Sequence, residues 1–242
     1  MTWYQEWFGA DYLDLYAHRN RDEAQHHVDF VRQHVPLPAP GEGAVLDLCC
    51  GAGRHTAALR AHDLRVVGVD LSLPLLAHPP RVPSVGGDMR RLPFADDAFD
   101  AVLNFFTSFG YFERERENFQ VLEEIVRVLR PGGRFLIDFL NKPHVLAHLV
   151  ARETQTVRGR TVDIERWYDD DARRINKRMR IRAIDGGPAR VYRESVRAYD
   201  RDEVIIGLRW AGLEVDALYG TFDGDPHDRD SPRLILVGHR AS

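Results

Sequence analysis

The sequence predicts an α/β fold, a mostly parallel sheet with helices on both faces, and three features predict it. The apolar run GAVLDLCC leads straight into a glycine turn and a helix-type segment. Strand-type and helix-type segments then alternate as far as residue 142, the rhythm of βαβ units. Two further strand-type runs, LEVDALYG and RLILVGHR, follow near the end of the chain.

Taken in order, residues 1–35 carry Trp3, Tyr4, Trp7, Phe8, Tyr12 and Tyr16, then Ala24, Val28, Val31 and Val35 at helical spacing, which predicts two short helices. Pro36, Pro38 and Pro40 end that segment, since proline disfavours helix at the residue before it. After the first strand a helix is expected near 54–62, a strand at RVVGVD and a short helix after Ser72. A polar loop then leads to the strand FDAVLNFF. Phe119, Leu122, Ile125, Val126 and Leu129 share one face of a helix beginning near Glu113, and Pro131-Gly132-Gly133 stops it before the strand RFLIDFL.

Between residues 143 and 198 the rhythm changes. TVDIERWYDD, INKRMRIRAID and ARVYRESVRAYD read as antiparallel strands, with Gly186-Gly187 as a hairpin turn. Asp200 and Glu203 have the spacing of a capping box, opening a helix that Gly212 ends. The organisation is therefore a helical segment over 1–35, an α/β core over 36–142 and 199–242, and an antiparallel β insertion over 143–198.

With 242 residues, one hydrophobic core is expected. No apolar run reaches the roughly 20 residues that span a bilayer, and the aromatic, acidic start resembles no secretory signal, so a cytoplasmic protein without a membrane partner is expected. Cys49 and Cys50 are adjacent and unsuited to a mutual disulfide, which fits a reducing compartment. A formal net charge of −4 gives no overall attraction to phosphate backbones and argues against nucleic acid.

The chemical signal lies in VLDLCCGAGRHTAAL. Gly51 and Gly53 stand between a buried strand and a helix N-terminus, where backbone can approach a ligand unobstructed. Asp70 ends RVVGVD, where a carboxylate can accept hydrogen bonds from both hydroxyls of a ribose. A dinucleotide site wants glycine or alanine three positions after Gly53; Thr56 stands there instead, which places NAD second to another nucleoside cofactor.

VLDLCCGAGRH, VVGVDLS, GDMRRLPF, FDAVLNFFTSFGYF and VLRPGGRFLIDFLN together resemble, in order and spacing, the motifs of class I S-adenosylmethionine-dependent methyltransferases. GDMRR and SFGYF resemble the branch that includes amino-sugar N-methyltransferases. The resemblance implies a Rossmann-like sheet and S-adenosylmethionine as cofactor. It places Gly51 and Gly53 beside the methionine part of the cofactor, Asp70 with Leu71 on the ribose, and Asp88 on the adenine amine. Met89 would cap adenine through its amide, Asn104 and Phe105 would lie along the methionine moiety, and Asp47 would order the glycine turn from below. Cys49 replaces the family's first loop glycine, which leaves the loop geometry there open.

The expected acceptor is a small molecule, methylated on nitrogen or oxygen, and the expected assembly is a monomer or homodimer. Thr107, Ser108, Tyr111 and Phe112 follow the fourth strand at the ligand-binding edge, and Tyr111 is the catalytic candidate, with packing of the next helix as its other reading. The N-terminal aromatics form a lid in which Tyr16 and Arg19 close over the cofactor, Arg19 reaching its carboxylate, or else they only cover a sheet edge. The insertion forms part of the acceptor pocket or an interface. Asp223, His227, Asp228 and Arg233 cluster before the last strand in no spacing that matches a metal motif. His26, His27 and His55 read as packing residues, and DDDARRINKRMRIR as a solvated strand face. The alternatives are a cofactor-binding but inactive scaffold subunit and a methyltransferase acting on RNA or protein.

Overall fold

The computed structural model describes residues 2–17, 19–182 and 187–241. Gly186 of the expected hairpin turn, and residues 183–185 before it, lie outside them. Three helices, rather than two, open the chain: α1 (Trp3–Trp7), α2 (Ala10–Leu15) and α3 (Arg21–His34). Gly9 separates the first two, and Asn20 starts the third by accepting a hydrogen bond from the Glu23 amide.

The core follows as β1 (Val45–Leu48), α4 (Arg54–Arg60), β2 (Val66–Asp70), α5 (Leu73–Leu76), β3 (Ser84–Gly86) and β4 (Phe99–Asn104), then α6 (Glu115–Val128) and β5 (Leu129–Leu140). β3 falls within the segment expected as a polar loop; it is three residues long, with two of them exposed, so its pattern carries no hydrophobic signal. After α7 (Lys142–Ala147) come β6 (Arg152–Val157), β7 (Arg160–Asp169), β8 (Arg174–Arg182) and β9 (Arg190–Arg197), and the chain returns through α8 (Arg201–Ala211), β10 (Leu213–Tyr219) and β11 (Arg233–Arg240). β6 is a fourth insertion strand where three were expected, because its polar sequence RETQTV at the sheet edge buries too little to show alternation. The capping box at α8 forms as expected, with the Asp200 amide donating to Glu203 at 2.8 Å.

The central sheet has the order β10-β11-β5-β4-β1-β2-β3. Its strands from β5 to β3 are parallel, and β11 runs antiparallel to both β5 and β10. Every residue of β1 is buried, as a central parallel strand between two helical layers requires. Val121, Leu122 and Ile125 of α6 and Val204 and Leu208 of α8 cover one face, while Val28 and Val31 of α3 and Leu59 of α4 cover the other. Chain direction turns outward on either side of the β1/β4 pair, and the loops after β1, β2 and β4 meet at that carboxyl edge.

The insertion is a separate antiparallel sheet, β6-β7-β8-β9. Its inner face packs Val162, Ile164, Met179 and Ile181 against Trp7 and Leu15 of the N-terminal helices. The aromatic N-terminus thus covers the insertion, not an edge of the central sheet. Trp7 is 1% exposed, with its ring 4.8 Å from that of Tyr192. Acidic residues complete the dock: the buried Asp11 meets Arg160 and Arg190 at 2.8 Å and the Tyr192 hydroxyl at 2.7 Å. Arg174, expected on a solvated face, is buried instead and donates to the carbonyls of Gly110, Tyr111, Phe112 and Ser195, so it ties the insertion to the loop after β4. Removal of the indole in Trp7→Ala should lower unfolding stability by about 3 kcal/mol, read as a fall in the denaturant midpoint. A change below about 0.5 kcal/mol would show that the N-terminal helices are not docked in solution.

Candidate active site

A cavity of about 720 Å³ opens where the loops after β1, β2 and β4 meet the N-terminal helices and the insertion sheet. The first loop turns through left-handed backbone at Cys49 (φ 61°), Gly51 (φ 56°) and Gly53 (φ 77°). Cys49 therefore keeps the conformation for which glycine is suited, at a strain of roughly 1 kcal/mol, and settles the geometry that its identity left open. The Cys49 thiol lies 3.6 Å from the Met89 sulfur, a soft apolar contact that glycine could not make.

Gly51 lines the cavity with open space where a side chain would project, its nearest neighbour being Leu75 at 3.8 Å. Gly53 serves packing: a Cβ there would meet Val82 at 2.3 Å, and the residue is not among those lining the cavity. Asp70, at the end of β2, accepts the Gly51 amide on one oxygen and the Ser72 amide on the other, both at 2.8 Å. Its carboxylate thus holds the glycine loop and the start of α5 while facing the cavity beside Leu71. Burial raises the Asp70 pKa against the lowering effect of these amide bonds.

Beneath the loop, Asp47 accepts the Thr56 hydroxyl at 2.6 Å, and burial pushes its carboxyl up to about 7. Thr56 reaches it because residue 68 is glycine, where a Cβ would crowd Cys50 and the Thr56 hydroxyl. The residue that disfavours a dinucleotide loop thus belongs to the same support as Asp47.

Asp88 and Met89 line the cavity beyond Asp70. The Asp88 carboxylate is gripped by Arg90, whose Nη2 donates at 2.6 Å and whose amide donates at 2.9 Å. Burial raises its pKa, but these bonds outweigh it and the net direction is down. Asn104 does not line the cavity; its amide donates to the Leu48 carbonyl at 2.9 Å and clamps β4 to β1.

Phe105 faces the cavity, and the next two residues, Phe106 (φ 60°) and Thr107 (φ 53°), are both left-handed. Two such non-glycine residues in succession are strained, and the surrounding bonds hold them. The buried Asp138 accepts the Phe106 amide at 2.8 Å, its carbonyl accepts the Thr107 amide at 2.9 Å, and Arg233 bridges Asp138 to the Thr107 hydroxyl. Of the four C-terminal candidates, Arg233 serves the site through this bridge, whereas Asp223 pairs with His26 and Asp228 caps a turn at Ser231.

Tyr111 faces the cavity amid Trp3 (4.8 Å between ring centres) and Phe8 (6.0 Å), and burial raises its phenol pKa, helped by nearby Glu194. Tyr16 and Arg19 face it from the N-terminal helices, Arg19 lying 4.1 Å over the Tyr16 ring and donating to the Tyr12 hydroxyl at 2.8 Å. His27 and His55 lie behind Phe105 with ring nitrogens 3.1 Å apart, so one donates and the other accepts. Burial lowers both, His27 to about 3.

The sequence pattern singled out none of the insertion residues that line the cavity, Arg166, Lys177 and Glu194 among them. Lys177 comes from the run expected as a solvated face; the alternation of INKRMRI, with Ile175, Lys177, Met179 and Ile181 on one side, was the signal that turns it inward.

Residues 45–133 match the family model described as a methyltransferase domain. A demethylmenaquinone methyltransferase from Mycolicibacterium paratuberculosis is 35% identical over 190 residues, 75% of this chain and 73% of that protein. The chain belongs to the class I S-adenosylmethionine-dependent methyltransferases. A cypemycin N-terminal methyltransferase from Streptomyces is 29% identical over 88% of both chains. An amino pentose methyltransferase from Micromonospora echinaspora, solved with its S-adenosylmethionine, has the same fold at a TM-score of 0.70 and 23% identity, covering 96% of this chain and 97% of its own. A methyltransferase from Clostridium acetobutylicum gives 0.78 at 15% identity, over 95% and 96%.

The site of this methyltransferase fits its cofactor, S-adenosylmethionine. The Asp70 carboxylate at the strand end suits a nucleoside, and the space beside Gly51 with the aromatic, arginine-bearing wall suits an amino acid moiety. Among the described residues no helix is long and apolar enough to cross a membrane.

Two predictions arise from this geometry. Cys49→Gly should stay within about 1 kcal/mol of the parent, relief of strain offsetting lost packing, whereas Cys49→Val should cost more; urea midpoints compare them. His27 and His55 bind protons less readily folded than unfolded, so their contribution is whole above pH 6.5 and falls as pH drops, for His27 as far as about 3. Asp47, held up to about 7, acts with the opposite sign over part of that range. The measurement is therefore the stability difference between parent and His27→Phe, which should shrink by up to about 1.4 kcal/mol per pH unit between pH 6 and 4. A difference constant with pH would show that His27 titrates normally.

Proposed function

We propose that the methyltransferase transfers its methyl group to a nitrogen or oxygen of a small molecule. The observation that carries this reading is the shape of the site: one cavity of about 720 Å³ runs from the glycine loop to the insertion sheet under the N-terminal helices. Cofactor and acceptor share it in this reading, and a space of that size suits a small molecule or a single chain end. The amino pentose and cypemycin N-terminal methyltransferases, named for an amino sugar and a chain terminus, support the same reading.

In this reading residues 36–142 and 199–242 bind the donor, residues 1–35 close over it, and residues 143–198 wall the acceptor side. Asp70, with Leu71, holds the ribose; Gly51 leaves room for the methionine part beside Phe105; and Asp88 and Met89 take the adenine. Tyr16 and Arg19 cover the amino acid end. The cofactor supplies an activated methyl group on a sulfonium leaving group, so the protein's main task is to position the acceptor, worth roughly 7 to 11 kcal/mol when the geometry is near-attack. Tyr111, a phenol protonated at neutral pH whose pKa burial raises further, orients the acceptor by a hydrogen bond. The cytoplasmic location expected from the sequence accompanies this reading.

Incubation with methyl-labelled S-adenosylmethionine and a fractionated cell extract should place label in the small-molecule fraction. Label confined to RNA or protein would overturn the proposal. Asp70→Ala should weaken S-adenosylhomocysteine binding at least tenfold by calorimetry, the loss of about 1.4 kcal/mol or more, and Tyr111→Phe should lower turnover with that affinity unchanged.

A further inference from the structure

The inner face of the insertion sheet is built in rows that run across its strands. Ile164, Met179 and Tyr192 stand opposite one another in one row, and Tyr168, Ile175 and Val196 in another. The first row packs on Trp7 and Leu15, the second on the core of the main domain. Between them, in the same register, stand Arg166, Lys177 and Glu194, a charged row between two apolar ones. All three line the cavity. Charges set between apolar rows are costly to bury and add little to stability unless closely paired, which marks the row as functional.

The three charges differ in how far they are satisfied. Arg166 donates to Glu153 at 3.0 Å. Lys177 donates to the Tyr16 hydroxyl, and burial lowers its pKa. Glu194 is the open member: its one ion-pair partner among the described residues, Lys177, stands 3.7 Å away, longer than a hydrogen bond, and its side chain is 25% exposed. Asp14, the other carboxylate on this side of the cavity, is engaged by Arg158 and Arg160. Glu194 shares the cavity with Phe8, Tyr12, Tyr16 and Tyr111, and the Lys177 amine that stands 3.7 Å from it donates to the Tyr16 hydroxyl. Tyr12 and Tyr16 are 5.0 Å apart between ring centres, and Phe8 joins Tyr12 at 5.1 Å. Several aromatic faces around one incompletely bonded carboxylate form a receptor for an organic cation, through cation–π attraction and a charge-assisted hydrogen bond.

We propose that Glu194 and the surrounding tyrosines bind the ammonium group of the acceptor, so that the small molecule methylated is an amine. This rests on the small-molecule reading above and names its class. An ammonium nitrogen has no lone pair to offer, so its N–H bond must break before methylation. Glu194 is placed to take that proton as an O–H bond forms, leaving the electron pair on nitrogen, and then passes the proton to solvent through the cavity mouth. Lys177 acts as a positioning residue that holds the carboxylate and competes with the incoming cation.

The test uses the full chain saturated with S-adenosylhomocysteine and two probes of matched size, n-propylammonium and propionate, titrated while tryptophan and tyrosine fluorescence is followed. n-Propylammonium should bind in preference to propionate. Glu194→Gln should weaken it at least about tenfold, the scale of one hydrogen bond to a charged group. Lys177→Met, which removes the competing cation, should strengthen it. Preference for propionate, no binding of n-propylammonium, or equal binding by parent and Glu194→Gln would overturn the proposal. Calorimetry with S-adenosylhomocysteine confirms that each variant is folded with an intact donor site. Label transfer to small molecules that lack an amine would leave the small-molecule reading standing and remove this one.

Discussion

Parallel strands that stop side by side leave backbone amides without partners, and in this methyltransferase buried side chains at the strand ends take them up. Asp70 accepts the amides of Gly51 and Ser72, and Asp138 accepts that of Phe106. Asn104 donates to the Leu48 carbonyl, and Asp47 receives the Thr56 hydroxyl. All of these bonds except the local one from Ser72 cross from one element to another, so the three loops around the cavity are ordered as a set. A polar group left unbonded in such surroundings would cost about 1–3 kcal/mol, which makes the arrangement close to obligatory.

That network permits backbone that would not otherwise persist. Cys49, Phe106 and Thr107 are left-handed without being glycine. Strained residues of this kind survive where neighbouring bonds over-determine them, and here all three line the cavity. Asp138 illustrates the balance: burial raises its pKa, while Arg233 and the Phe106 amide lower it and keep the loop after β4 in place.

The N-terminal helices and the insertion form the other half of the site, and they depend on each other. Trp7 and Leu15 fill the sheet's inner face, and Asp11 and Asp14 gather arginines from the strands. Arg174 joins this unit to the main domain through the carbonyls around Tyr111. This wall of the cavity is therefore made jointly by segments far apart in the chain, and its charged row is visible only once three strands are in register.

The amino-acid sequence by itself determined the α/β core, because the glycine loop, the strand-end Asp70 and the capped helices are local patterns whose physics acts within a few residues. It also singled out Gly51, Asp70, Asp88, Met89 and Phe105, which stand at strand ends and line one cavity. It did not reveal that the aromatic N-terminus docks on the insertion, that Gly53 and Asn104 serve packing while Gly51 and Asp70 face the cavity, or that His27 and His55 share a hydrogen bond. Nor did it show Lys177 and Glu194 turning inward from a charge-rich stretch. Those outcomes were decided by the tertiary structure alone, because they rest on contacts between residues separated by many positions, where burial and register, not local propensity, choose which face of a strand meets water.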